Sequence, residues 1–207
     1  MADALAIADD VAEVVAGVWH WSVHDTRIDF TSSSHAVAVD EGAVLVDPMP
    51  LAAPALERLG PVAAICLTSG SHQRASWQLR RALGAPLWAP ALSQTLAEEP
   101  DGRYDDGDRL PGGLLAVFTP GAGTTQHTLL LERDEGVAFA PDLFVRRGDG
   151  GLAFVDARYM HDPHEARRSA QKLLGLPFTV LCLGHGAPLV ENARGSLRRL
   201  LEDDGQL

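Results

Sequence analysis

Eight histidines in 207 residues justify a search for a metal or acid/base site, because imidazole titrates near neutral pH and is a common metal ligand. Three chemically capable residues share one setting, each at or just beyond the end of a short apolar run. His127 closes the loop Pro120-Gly121-Ala122-Gly123-Thr124-Thr125-Gln126 and opens Thr128-Leu129-Leu130-Leu131. Asp142 follows Phe139-Ala140-Pro141, and His185 stands in Leu183-Gly184-His185-Gly186. A polar loop from Thr68 to Arg74, holding Ser69, Ser71 and His72, follows the all-apolar Val62 to Leu67. Strand-end loops are where open α/β sheets put their sites.

The elements that must carry these loops follow from hydrophobic periodicity. Val14 to Val23, His35 to Val39 and Ala43 to Val46 read as antiparallel strands, the last two joined across Asp40-Glu41-Gly42. Ala53 to Leu59 has helical spacing and stops at Gly60 before Pro61. Val62 to Leu67 is apolar on both faces, the mark of a buried parallel strand. A helix from Ala75 to Leu83 and a strand from Pro86 to Ala89 complete the first half. The second half repeats the pattern, with strands at Leu114 to Phe118, Thr128 to Leu131 and Val137 to Ala140. A helix starting at Asp162-Pro163 runs through Leu174, and a buried strand from Phe178 to Leu183 precedes a closing helix from Ala193 to Leu201. Ala97 to Asp108 is polar and acidic and reads as a solvated loop. Two such halves imply a single domain, 1–207, of α/β (α+β) class, built as a four-layer αββα sandwich.

Composition excludes some partners. A formal net charge of −11, from 17 basic and 28 acidic residues, argues against phosphate backbones and anionic membranes as partners. The start, MADALAIADD, lacks the features of a secretory leader, and no apolar run is long enough to span a bilayer, so a cytoplasmic protein acting on a small molecule is expected. Cys66 and Cys182 lie inside apolar runs, where a free thiol behaves as a small buried hydrophobe. Nothing in the pattern sets the oligomeric state.

The motifs around His127, Asp142 and His185 resemble those of the metallo-β-lactamase superfamily in order and spacing: a Pro-Gly-rich turn ending in His-Thr, a strand followed by Gly-Asp, here Pro141-Asp142, and a strand followed by Gly-His-Gly. Asp47, after Val44-Leu45-Val46, matches that family's structural Asp, and Thr68 to Arg74 stands where its first metal motif belongs. The resemblance implies the αββα fold, hydrolysis of a small ester, thioester or lactone, and His127, Asp142 and His185 as metal ligands.

The first motif departs from the family pattern Thr-His-x-His-x-Asp-His. Ser69 and Ser71 replace two histidines, Gln73 replaces the Asp, and Arg74 replaces the last histidine, while Ala122 breaks a later Pro-Gly-His. A two-metal centre, which would hold a bridging hydroxide, is not expected from three surviving ligands. Two readings stay open. In one, His127, Asp142 and His185 hold a single zinc or iron ion, as two histidines and a carboxylate suit either. His72, one residue off register, is then a fourth ligand candidate if the loop shifts and, with Asp142, a catalytic candidate, and Ser69, Ser71, Arg74 and Tyr159 contact substrate. In the other, no metal is bound, Arg74 neutralises Asp142, and the former cleft binds a small molecule or protein without catalysis.

The remaining candidates have plainer explanations. His20, His24 and His35 sit on strands, and Asp162 beside His161 and His164 is a natural helix N-cap. The four tryptophans are scattered, as core residues would be. A Gly-x-Ser-x-Gly elbow is missing, and Thr119 to Thr125 has neither the lysine nor the following helix of a phosphate loop.

Overall fold

The computed structural model describes residues 6–26, 28–134 and 136–206. It is a mixed α/β fold in which a seven-stranded and a four-stranded sheet face each other. The larger sheet runs in chain order: β1 (Ala12–Val15), β2 (Val18–Asp25), β3 (Phe30–Val39), β4 (Gly42–Val46), β5 (Val62–Cys66), β6 (Leu87–Pro90) and β7 (Gly102–Tyr104). Its first four strands are antiparallel neighbours, and β4 to β7 pair in parallel. The parallel pairs require crossovers, supplied by α1 (Ala53–Arg58) between β4 and β5, by α2 (Ser76–Leu83) between β5 and β6, and by the helix-free segment 91–101 between β6 and β7. The smaller sheet has the order β13-β10-β9-β8, from β8 (Leu114–Phe118), β9 (His127–Leu131), β10 (Val137–Ala140) and β13 (Val180–Leu183). Between its strands lie a small hairpin of β11 (Phe144–Arg146) and β12 (Leu152–Phe154), and helix α3 (Pro163–Leu174); α4 (Ala193–Asp203) closes the chain.

Strand alternation sorts the core into three layers. On the larger sheet Val37, Val44, Val46, Ala64 and Cys66 meet Leu114, Ala116, Leu129, Phe139 and Cys182 of the smaller one. Their neighbours Ala36, Leu45, Ile65 and Leu67 turn the other way onto Ala55 of α1, Leu59 just after it and Trp77 of α2. Leu130, Ala138 and Leu181 likewise pack on Ala166, Ala170 and Leu173 of α3 and Leu197 and Leu201 of α4. Four layers result, αββα, as the spacing of apolar residues predicts.

Several elements differ from expectation. Val14 to Val23 is interrupted at Gly17, whose φ of 70° turns the chain between β1 and β2. The segment expected as a solvated loop, Ala97 to Asp108, contains β7, and its Tyr104 is buried with the hydroxyl donating to the Leu67 carbonyl. The helix at Asp162-Pro163 forms as expected, with the Asp162 carboxylate accepting from the N–H groups of His164 and Glu165.

Candidate functional site

The C-terminal ends of β4, β5, β10 and β13 carry Asp47, the 68–74 loop, Asp142 and His185. In each sheet the two strands concerned run parallel, so both carrying loops leave at the same edge. Asp47 adopts the left-handed conformation at φ 46°, which a short polar side chain tolerates better than most. Its buried carboxylate accepts from the Thr68 N–H at 2.8 Å, from the Thr68 hydroxyl, and from Nδ1–H of His72 at 2.8 Å. This ties the end of β4 to the loop after β5 and fixes which edge of the His72 ring points inward.

The inward nitrogen of His72, Nε2, lies 3.0 Å from Oδ2 of Asp142. On the far side, Nε2 of His185 lies 3.1 Å from Oδ1 of Asp142, while Nδ1–H of His185 donates to the Thr31 carbonyl at 3.0 Å. Asp142 therefore sits between two imidazoles, each anchored through its other nitrogen. Glycine at 184 permits this approach, since a Cβ there would lie 3.2 Å from His72 Cε1 and 3.4 Å from Asp142 Oδ1.

Charge is distributed accordingly. Burial opposes a cationic His72, but the carboxylates of Asp142 and Asp47 outweigh burial and the nearby Arg74, and push its pKa up to about 9. Burial likewise opposes an anionic Asp142, yet His72 and His185 hold it well below the usual carboxylate range. His127 is different: burial lowers its pKa, despite the carboxylates of Asp105 and Asp106 nearby.

Of the residues expected to bind metal, Asp142 and His185 come together and His127 does not join them. Its ring is held by donation from Nδ1–H to the Thr125 carbonyl at 3.0 Å, between the rings of Tyr104 and Phe118, and its Nε2 faces Asp105 at 3.9 Å. His72 takes the third place instead. The expected pairing of Arg74 with Asp142 is also replaced. Among the described residues the cationic groups within ion-pair reach of Asp142 are His72 and His185, while the Arg74 guanidinium donates to the carbonyls of Ser33, Asp47 and Gly184.

The other candidates fall around this core. The hydroxyls of buried Ser69 and exposed Ser71 are 2.9 Å apart. Gln73 is a strut, donating to the carbonyls of Gly70 and Thr95 and accepting from Trp77 Nε1 and the Ala97 N–H. Tyr159 is exposed beneath the Arg158 guanidinium, in a short 3-10 turn before α3. Phe30, which the sequence reading passed over, is half exposed with its ring edge-on to His185 at 5.2 Å; a bulky apolar residue at the exposed start of a strand was its only signal.

One imidazole nitrogen each from His72 and His185 and one oxygen of Asp142 lie within 4.8 Å of one another. Two histidines and a carboxylate converging in this way form a candidate set for a single metal ion. Two details agree. Both Nδ1 protons are committed to outer acceptors, the usual way a metal-binding imidazole is oriented. Oδ1 of Asp142 is shielded from solvent and faces Nε2 of His185 at 3.1 Å, the inward nitrogen of the second imidazole.

Comparison with known proteins agrees with this architecture. No curated protein matches the chain. Among solved structures, a metallo-beta-lactamase from Pontibacter korlensis is 19% identical with a TM-score of 0.74, covering 93% of this chain and 97% of its own. Similar proteins from Erythrobacter litoralis (15% identity, TM-score 0.69, 95% and 92% covered) and Hirschia baltica (13%, 0.67, 94% and 97%) share the same fold. The sequence profile of the metallo-beta-lactamase superfamily matches residues 15–203, nine-tenths of the chain and every strand-end loop of the site, and the chain belongs to that superfamily.

Proposed function

We propose that the protein is a hydrolase of a small ester, thioester or lactone that uses one bound zinc or iron ion. The observation behind this reading is the convergence of His72, Asp142 and His185 with both outer nitrogens anchored. When bound, the ion supplies Lewis acidity and a water of lowered pKa. The chain does the rest. Asp47 and the Thr31 carbonyl keep the two imidazoles facing inward. Ser71, exposed beside Ser69, offers a hydroxyl donor to a substrate carbonyl oxygen. Phe30 presents an apolar face beside His185 for the non-reacting part of the substrate. Asp142 holds a formal negative charge between the two imidazoles, where it would help to hold the ion.

A second reading rests on the same cluster. With a proton in place of the ion, an imidazolium at His72 bridges Asp47 and Asp142, and the protein binds a ligand without turning it over. The high proton affinity of His72 favours it. Metal analysis decides between them. Protein purified without chelator should carry close to one equivalent of zinc, iron or manganese, or take it up on reconstitution. Below about a tenth of an equivalent, with no uptake, the hydrolase reading is lost.

A further inference from the structure

Arg74 stands where the superfamily pattern places the last histidine of its first motif, and its side chain is put to a specific use. The guanidinium donates from Nη1 to the carbonyls of Ser33 and Asp47, the latter at 2.9 Å, and from Nη2 to that of Gly184 at 3.2 Å. These carbonyls belong to three separate segments: β3, the residue after β4, and the residue after β13. Two of the three adjoin the proposed ion ligands. Gly184 is bonded to His185, and Asp47 is the residue whose carboxylate orients His72.

The surroundings are built around this contact. Ser33 also donates its N–H to the Gly184 carbonyl at 2.9 Å and its hydroxyl to the Gly186 carbonyl at 2.9 Å, while the Ser34 hydroxyl donates to the Asp47 carbonyl at 2.7 Å. Arg74 holds its backbone at φ 43°. A long side chain pays for that conformation in strain and keeps it only where its environment over-determines it. A planar fork with several donors can satisfy three carbonyls from different loops at once, and a lysine ammonium cannot reproduce that arrangement.

We propose that Arg74 is a positioning residue that locks the two imidazole-bearing loops, one from each sheet, in the posture that binds the ion. It touches neither ion nor substrate in this role, and it deepens the single-ion reading above, on which it rests. Where the resembled motif has its last histidine, Arg74 supplies a fixed cation that pins the loops from behind.

Cobalt(II) titration of the full chain tests this, read by visible absorption and by competition with a chromophoric chelator. Wild-type protein should bind one equivalent with a defined ligand-field spectrum. In Arg74→Ala the affinity should fall about 10- to 100-fold, as for other residues that orient metal ligands, and the absorption bands should move. Added methylguanidinium should restore both, and Arg74→Lys should not. If Arg74→Ala does not fold, Arg74→Lys, checked by near-ultraviolet circular dichroism, carries the comparison through the same shift in spectrum and affinity. Wild type binding one cobalt with the folded variant indistinguishable from it overturns the role of Arg74 alone. Wild type taking up no cobalt overturns the single-ion reading, and this proposal with it.

Discussion

His72 and Asp142 are 70 residues apart in the chain, yet Nε2 of one lies 3.0 Å from Oδ2 of the other. The contact joins a loop of the larger sheet to a loop of the smaller one, and it decides which histidine completes the site. Replacing His72 by Ala should therefore lower zinc or cobalt affinity by two orders of magnitude or so, since one of about three protein ligands is removed. His127→Ala should leave that affinity within about twofold, because its ring is occupied with the Thr125 carbonyl and two aromatic neighbours. Chelator competition on the two variants checks the pair; the reverse ranking would return His127 to the ligand set.

Asp47 is expected to act on metal through His72. Asp47→Asn keeps shape but removes the charge that fixes the Nδ1 proton. Metal affinity should drop about 10- to 100-fold, with a smaller effect on the wavelength of the cobalt bands than His72→Ala produces. Equal binding by Asp47→Asn and wild type would mean that the carboxylate serves only to join Thr68 to β4.

His35 sets an acid limit on stability. It is buried against Phe139 and His20, and burial, with the charges of His20 and Arg74, holds its pKa well below 6.5. Above pH 6.5 both folded and unfolded chains keep this ring neutral, so it contributes no slope. Below pH 6.5 the unfolded chain takes up the proton first, and stability should fall by up to about 1.4 kcal/mol per pH unit for this one group. Urea unfolding of wild type and His35→Gln between pH 4.5 and 7 compares the slopes, and the variant should be the flatter of the two.

Two glycines should respond differently to alanine. Gly121, at φ 138°, would place a Cβ 2.3 Å from the Ala166 backbone in α3. Gly121→Ala should destabilise the fold by at least about 1 to 3 kcal/mol, the cost of overpacking. Gly184→Ala meets His72 and Asp142 at 3.2 and 3.4 Å, so it should disturb cobalt spectra with little change in thermal midpoint. Thermal melts and cobalt absorption on both proteins separate the two outcomes.

The layers were readable because strands and helices bury by period, and Val44 and Leu45 or Leu129 and Leu130 face opposite sides as alternation requires. The short strands were not readable. Gly102–Tyr104, Phe144–Arg146 and Leu152–Phe154 are three residues each, too few to show a period; the first pairs along β6, and the other two pair with each other. Within the site, Asp142 and His185 were legible as strand-end residues. His72 was legible only as an off-register neighbour, because its placement depends on Asp47, 25 residues away, and on the unusual backbone of Arg74. The same limit explains Arg74 itself: charge pairing with Asp142 was a sound expectation, but buried carbonyls compete for a guanidinium, and they are invisible in a sequence.

The strand order of the two sheets has a kinetic consequence. Asp47 and His72 ride on the larger sheet, Asp142 and His185 on the smaller. Neither half alone can gather the three ligands, so the ion-binding posture arises only after the sheets have docked face to face. Loop closure over such separations is slow and entropically costly. Metal capture by a refolding chain should then lag behind secondary structure and coincide with burial of the inter-sheet layer, which makes the ion a timer of the last assembly step.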